Sequence, residues 1–532
     1  MISRRNFLAA SAVFPTLSYL SWTSAFAATP KNVLVVAMQL DNMTSLDPHE
    51  GFESVGAEIC GNMYHKLVAP NLEDPDKVDP QIAESWTASE DGKTFTFKIR
   101  KGLKFSSGAP VTAEDCAFSL QRAVKLNKSP AFIITQFGFN ADNAETAITA
   151  PDADTVVLKT ENPTALGLLL YCLSANVGAI IEKKAALDHA EGDDLGNAWL
   201  RQNSAGSGEF MLKIWRASDS VVLLKNPNGD YKGNIERIIM RHIVDPSSQL
   251  LMLKQGDVDI ARNLLTEQLK GLEGDDSIKL MQKSTASIML MSLNQAVEKL
   301  QNPKVWEAFK WAVGYHAMQK NIVPMTYVVH QAIVPEGLPG AYNENPFEQD
   351  LEKAKALLAE AGYPDGFEIE IDHYSAPPYP DIAQAIQADL GKIGIKVTLL
   401  AAENRQVLTK MRARKHQVAL SSWGTDYFDP NSNVDVFCIN HDNSDDATTR
   451  PFCWRSHFQD DKIAKMAEDA RDEPDPETRI KKYVELQKYY MNNSPFVVMM
   501  QSSVVAAMRP NVEGVRLGTL PDSHSYAGTS KA

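Results

Sequence analysis

Residues 422–433 read SWGTDYFDPNSN, with two acids set among aromatic rings. Asp426 lies three residues after Trp423 and directly before Tyr427 and Phe428; Asp429 follows, and Pro430 breaks the run. A carboxylate removed from water costs free energy unless a cation or hydrogen-bond donors meet it. Two readings of Asp426 are therefore open. Either it awaits a cation that arrives with a ligand, or it belongs to a surface loop with Trp423 turned into the core. The preceding HQVALSSW reads as a strand, so the acids fall just beyond a strand's carboxyl end. Ligands in open α/β sheets bind at such ends, and the placement favours the first reading.

Other reactive-looking patterns dissolve on inspection. Gly92-Lys93-Thr94 matches the end of a phosphate-binding loop, but Thr87 occupies the position of the required glycine and a strand pattern follows. His49-Glu50 opens like a zinc-protease helix, yet Glu53 stands where the second histidine belongs. Gly206-Ser207-Gly208 lacks the spacing of a nucleophile elbow. The remaining histidines are scattered along the chain. These residues lead to the expectation of no catalytic residues, no resident metal and no cofactor, a hydrolase being the alternative.

Cys438 and Cys453 flank the polar segment INHDNSDDATTRPF, which reads as a loop suited to a disulfide staple. Closing a loop of that length adds on the order of 3 kcal/mol in the chain-entropy model. A metal reading of Cys438, His441 and Cys453 matches no zinc spacing. Cys60, Cys116 and Cys172 lie in apolar stretches and read as buried thiols.

The elements that must position the acids alternate in type. NVLVVAMQL reads as a buried strand, ESVGAEICGNMYHKLV as an amphipathic helix and KTFTFKIRKGLKF as a half-buried strand. VTAEDCAFSLQRAVK opens with Thr112 three residues before Asp115, a helix-capping pattern. Farther on, LEKAKALLAEAGYPDG reads as a helix with Leu351, Ala354, Leu358 and Ala361 on one face and Gly362 placed to end it. FEIEIDHY, DIAQAIQADLGKIG and IKVTLL form a strand–helix–strand unit, which predicts parallel pairing.

A chain of 532 residues implies two or three domains. Its net charge of −14, with no basic stripe, argues against a nucleic-acid partner. The N-terminus carries Arg4-Arg5 before Phe7-Leu8, then a moderately apolar stretch ending in Ala25-Phe26-Ala27, the small-x-small pattern of a signal-peptidase site. It resembles a twin-arginine export signal. The many Ser and Thr residues of that stretch make a poor membrane span. Removing residues 1–27, which hold two arginines and no acids, takes the charge from −14 to −16. No cysteine lies near the cleavage point for lipid attachment. The expectation is a soluble, acidic periplasmic protein.

Residues 83–120, AESWTASEDGKTFTFKIRKGLKFSSGAPVTAEDCAFSL, strongly resemble the signature of extracellular solute-binding proteins of the peptide/nickel-binding family, which serve ATP-driven importers. The matching residues are Ser85-Trp86, Asp91-Gly92-Lys93, Phe95, Phe97, Gly102, Phe105, Gly108, Pro110-Val111-Thr112 and Ala113-Glu114-Asp115. Leu46-Asp47-Pro48-His49, LLMLKQGDVDIA and EKAKALLAEAGY extend the likeness over nearly the whole chain. The resemblance implies an α/β, periplasmic binding protein-like fold of three domains: two lobes around a ligand cleft, plus an inserted domain. The implied segments are 28–66, 200–285 and 500–532 for the first lobe, 67–199 for the insertion and 286–499 for the second lobe. Peptide-binding members pair the aspartate of a W-x-x-D motif with the ligand's α-amino group. That puts Asp426 opposite an ammonium, with Trp423, Gly424, Thr425, Tyr427 and Phe428 around it. The chain departs from the oligopeptide binders in having Leu420 where they have an arginine, leaving the carboxylate anchor unassigned; Arg405, Arg412 and Arg414 lie nearby. The implied function is capture of short peptides or another small amine-bearing solute for a membrane permease by a monomeric protein. Nickel-chelate, opine or saccharide binding on the same scaffold is the alternative.

Overall fold

The run VLVVAM, Val33–Met38, is apolar on both faces because both are covered. Leu34, Val36 and Met38 enter one core cluster, Val35 and Ala37 another. Such a strand suits the interior of a parallel sheet, and it pairs in parallel with Arg237–His242 and Ile260–Ala261. This computed structural model describes residues 29–532, so the expected export signal at 1–27 lies outside the described residues.

The main sheet has eleven strands. At one end Lys396–Ala402, Glu368–Tyr374 and Val418–Gly424 pair in parallel, with the helix Tyr379–Lys392 crossing between the first two as the sequence predicts. At the other end lie Val33–Met38 and its neighbours. Two long antiparallel strands, Lys279–Leu293 and Phe496–Met508, join the ends. Their ladder runs from Lys279 to Ser284 opposite Met508 to Ser503, then slips and resumes at Ile288 opposite Gln501. The slip is a β-bulge, which frees a short segment from pairing and bends the strand. Thr285, Ala286 and Ser287 leave the ladder with Phe496–Met508 there, midway between the two ends of the sheet, while Ser287 stays paired with Val418–Gly424 on the other side.

A separate four-stranded antiparallel sheet is built from Ala83–Ala88, Thr94–Ile99, Thr155–Lys159 and Ile148–Asp152. The helix Ala113–Leu126 packs on it, and Thr112 and Asp115 form the capping box read from the sequence. The LDPH segment is structural: Arg122 grips both oxygens of Asp47 at 2.9 and 2.5 Å, out of contact with solvent. Buried apolar side chains gather into four clusters. One draws chiefly on residues 286–500, one on residues 67–180, and two cover opposite faces of the sheet around Val33–Met38. No described helix is long and apolar enough to cross a membrane.

Candidate functional site

The strand Val418–Gly424 ends at Gly424, which pairs with Ser287 of the bulge. The next residue is held on both sides: the Thr425 N–H donates to Ala286 O at 2.8 Å, and its Oγ1 donates to Asn433 Oδ1 at 2.9 Å. The Asp426 N–H then donates to Ser432 Oγ at 2.9 Å. These bonds fix the turn between the strand and the helix Asn431–Cys438 and leave the Asp426 carboxylate facing a cavity of about 520 Å³. The volume falls within the range of small-molecule sites.

Distant segments close that cavity. The first turns of the helix Ser54–Met63, residues 175–177, the bulge and residues 519–524 all reach it. Its apolar wall includes Met38, Phe52, Val55, Ile133, Val177 and Leu520. Residues 519–524 approach so closely that a Cβ on Gly61 would lie 2.2 Å from Asp522 O, so only glycine admits this contact.

Asp426 is half-buried, and no cation pairs with it among the described residues. Desolvation alone pushes its carboxyl up from the ordinary 3.8 to about 6. The other acids of the wall are engaged. Glu58 receives Arg262 through both oxygens at 2.8 and 3.1 Å, and Asp522 receives Lys66 at 2.8 Å. His524 accepts the Gly518 N–H on Nδ1 at 2.9 Å, and burial lowers its pKa to about 4, so the ring is neutral with its proton on Nε2. Asn176 donates from Nδ2 to Ala57 O, while its Oδ1 is buried without a partner.

The two acids of the motif thus divide. Asp426 is unpaired in the cavity, whereas Asp429 is buried against Arg479 by two bonds of 2.8 Å. Gly424, Thr425 and Asp426 line the cavity; Trp423, Tyr427 and Phe428 are not among its walls, although Phe428 lines a smaller adjoining chamber. Trp423 leaves its strand on the opposite face from Gly424 and meets Phe437 and Phe452 edge-on at 5.9 and 5.5 Å. Tyr427 is 4% exposed and joins the core built from residues 67–180. Phe428 packs on Tyr171 at 5.8 Å. The reason is burial: each ring is stabilised by leaving water for a packed core, which an open cavity does not match.

The expected staple is also absent. Cys438 and Cys453 are buried free thiols, the latter donating to Ile439 O at 3.6 Å. Polar contacts hold the loop between them: Arg414 reaches Asp445 and Asn443 at 2.7 Å, and Trp454 Nε1 donates to Ser444 O at 2.8 Å. His441 faces Glu468 at 2.9 Å, away from any shared site with the two thiols. Of the three arginines near the site in sequence, Arg414 is spent on this loop, and neither Arg405 nor Arg412 lines the cavity. Sequence reasoning missed Glu58, Arg262, Asn176 and His524. They come from four separate segments and carry no local motif.

Comparison with known proteins identifies the family and the fold. Residues 77–445 match the family model described as bacterial extracellular solute-binding proteins, family 5 middle. The probable D,D-dipeptide-binding periplasmic protein DdpA of Escherichia coli (strain K12) is 29% identical over 497 residues, covering 92% of each chain. HbpA2 from Haemophilus parasuis superposes with a TM-score of 0.78 at 26% identity, covering 94% of this chain and 100% of that one. The periplasmic binding protein DppA from Helicobacter pylori, in complex with the peptide STSA, gives a TM-score of 0.73 at 25% identity over 94% and 98% of the two chains. With the match extending over more than half of its length, this chain belongs to the family 5 bacterial extracellular solute-binding proteins.

Proposed function

We propose that the protein is the periplasmic solute-binding component of an ATP-driven importer and captures a short peptide or another small amine-bearing solute. Asp426 is the anchor, its carboxylate pairing with the ligand's ammonium group. One observation carries this reading: among the described residues the only unpaired charge in the wall of the cavity is a desolvated carboxylate, and a ligand ammonium would supply the missing partner. Such a charge-assisted hydrogen bond is strong because its alternative, a lone carboxylate in a drying cleft, is costly. The dipeptide and peptide named for two of the similar proteins support the same class of solute.

In this account three domains share the work. Segments 28–66, 200–285 and 500–532 form one lobe, 286–499 the other, and 67–199 an insertion beside the first. The lobes close over ligand by bending at the long strand pair, whose bulge is the natural place to flex. Closure is the signal read by the permease, and no turnover is needed. The protein acts as a monomer, exported by the twin-arginine route and released without a lipid anchor. Mass spectrometry of protein taken from its own periplasm, intact and then denatured, tests the reading. A spread of small peptides or amines is expected; a single mass without an amine would overturn the anchor role of Asp426.

A further inference from the structure

The charges around the cavity are unevenly spent. Its wall holds two carboxylates besides Asp426, and each has its own cation. Among the described residues Arg262 is the only cation in the wall: both terminal nitrogens bind Glu58, Nη1 also lies 3.2 Å from Tyr526 Oη, and Nε is unpartnered but out of contact with solvent. Lys66, behind Asp522, is itself buried in that pair. The adjoining chamber of about 220 Å³ shares Ala175, Leu520, Asp522 and His524 with the cavity. Its Arg516 stands 3.5 Å from Glu73 and is more than half exposed. Among the described residues, no buried cation in either wall lacks its acid.

Most of the uncharged polar groups are engaged. Asn176 donates from Nδ2 to Ala57 O, and its Oδ1 is buried out of contact with solvent. Gln39 gives its side-chain N–H to Val244 O, and its backbone N–H is taken by Asn263 Oδ1. Thr285 and Ser502 satisfy each other at 2.6 Å. His524 contributes a single neutral N–H. A ligand therefore meets one unpaired negative charge and, among the described residues, no buried cation without its acid. A carboxylate entering the same space would be desolvated without a counter-charge and close to Asp426 and Asp522.

We infer that the cavity selects a monocationic amine over a zwitterion: a ligand that brings an ammonium to Asp426 and has no free carboxylate, such as a short peptide with a capped carboxyl end. The inference rests on the amine pairing proposed for Asp426 and narrows it. Three matched pools of dipeptides test it, one unmodified, one C-terminally amidated and one N-acetylated, each competed on the wild-type protein and read by native mass spectrometry. The amidated pool is expected to bind about tenfold more tightly than the unmodified one, the N-acetylated pool not at all. Equal or tighter binding of the unmodified pool overturns the inference and leaves the amine pairing standing. Binding of the N-acetylated pool as tight as that of the amidated pool, or binding of none of the three, overturns the amine pairing and the inference with it.

Discussion

Replacing Asp426 by asparagine should stabilise the ligand-free protein, and the structure sets the size of the effect. The cleft desolvates the carboxylate and offers no cation, lifting its pKa from 3.8 to about 6. The folded value lies above the unfolded one, so ionisation weakens the fold. The penalty is absent below about pH 4, grows as pH rises toward 6 and is complete above it. A gap of about two pH units corresponds to at most about 3 kcal/mol. The group is half-buried and partly screened by water, which reduces the expected gain to about 1–2 kcal/mol. Asparagine has nearly the same shape and never ionises, so Asp426→Asn should melt about 1–2 °C above wild type at pH 7.5. At pH 4.5, where the folded carboxyl is largely protonated but the unfolded one is largely ionised, the gap should shrink to roughly a third. Thermal melting of the stripped protein at the two pH values measures this directly. An equal gap at both, or a less stable variant at pH 7.5, would refute the desolvation argument.

Three further consequences can be measured. Arg479→Met should lower stability by roughly 3–5 kcal/mol in urea unfolding, because it strands Asp429 as an uncompensated buried carboxylate; a loss under 1 kcal/mol would show that water reaches Asp429 once Arg479 is gone. Tyr427→Ala should cost roughly 3 kcal/mol and speed limited proteolysis at the junction of residues 67–180 with the 426–429 turn, since its ring fills the core of the former from the chain of the latter; unchanged cleavage would detach the ring from that contact. Titration of the denatured, unreduced protein should count five thiols, whereas three would mean that one pair is bridged.

Local signals in the sequence mapped onto local structure. The both-faces-apolar VLVVAM, the capping pair Thr112 and Asp115 and the strand–helix–strand unit at 368–402 all depend on neighbours within a few residues, and each formed as its pattern required. Asp426 was legible for the same reason: a strand must end before it, and ligands gather at such ends. What lay beyond reach depended on partners far along the chain. Nothing in SWGTDYFDPNSN shows that Asp429 has a guanidinium fifty residues away and Asp426 has none. Nor could the rings be placed. Trp423, Tyr427 and Phe428 point into three different packings, and which faces the cavity depends on strand alternation and on Tyr171, Phe437 and Phe452. The loop between Cys438 and Cys453 looked in need of a staple because its fastening, Arg414, sits on another element.

The central claim is that the Asp426 carboxylate holds the ligand's ammonium group. Its most direct test is calorimetric titration of wild type and Asp426→Asn with the solute recovered from the native protein, at pH 7.5. Losing a charge-assisted contact in a desolvated site should weaken binding by about 2–5 kcal/mol, roughly thirtyfold or more, while the variant stays folded. Affinity in the variant within about twofold of wild type would contradict the claim.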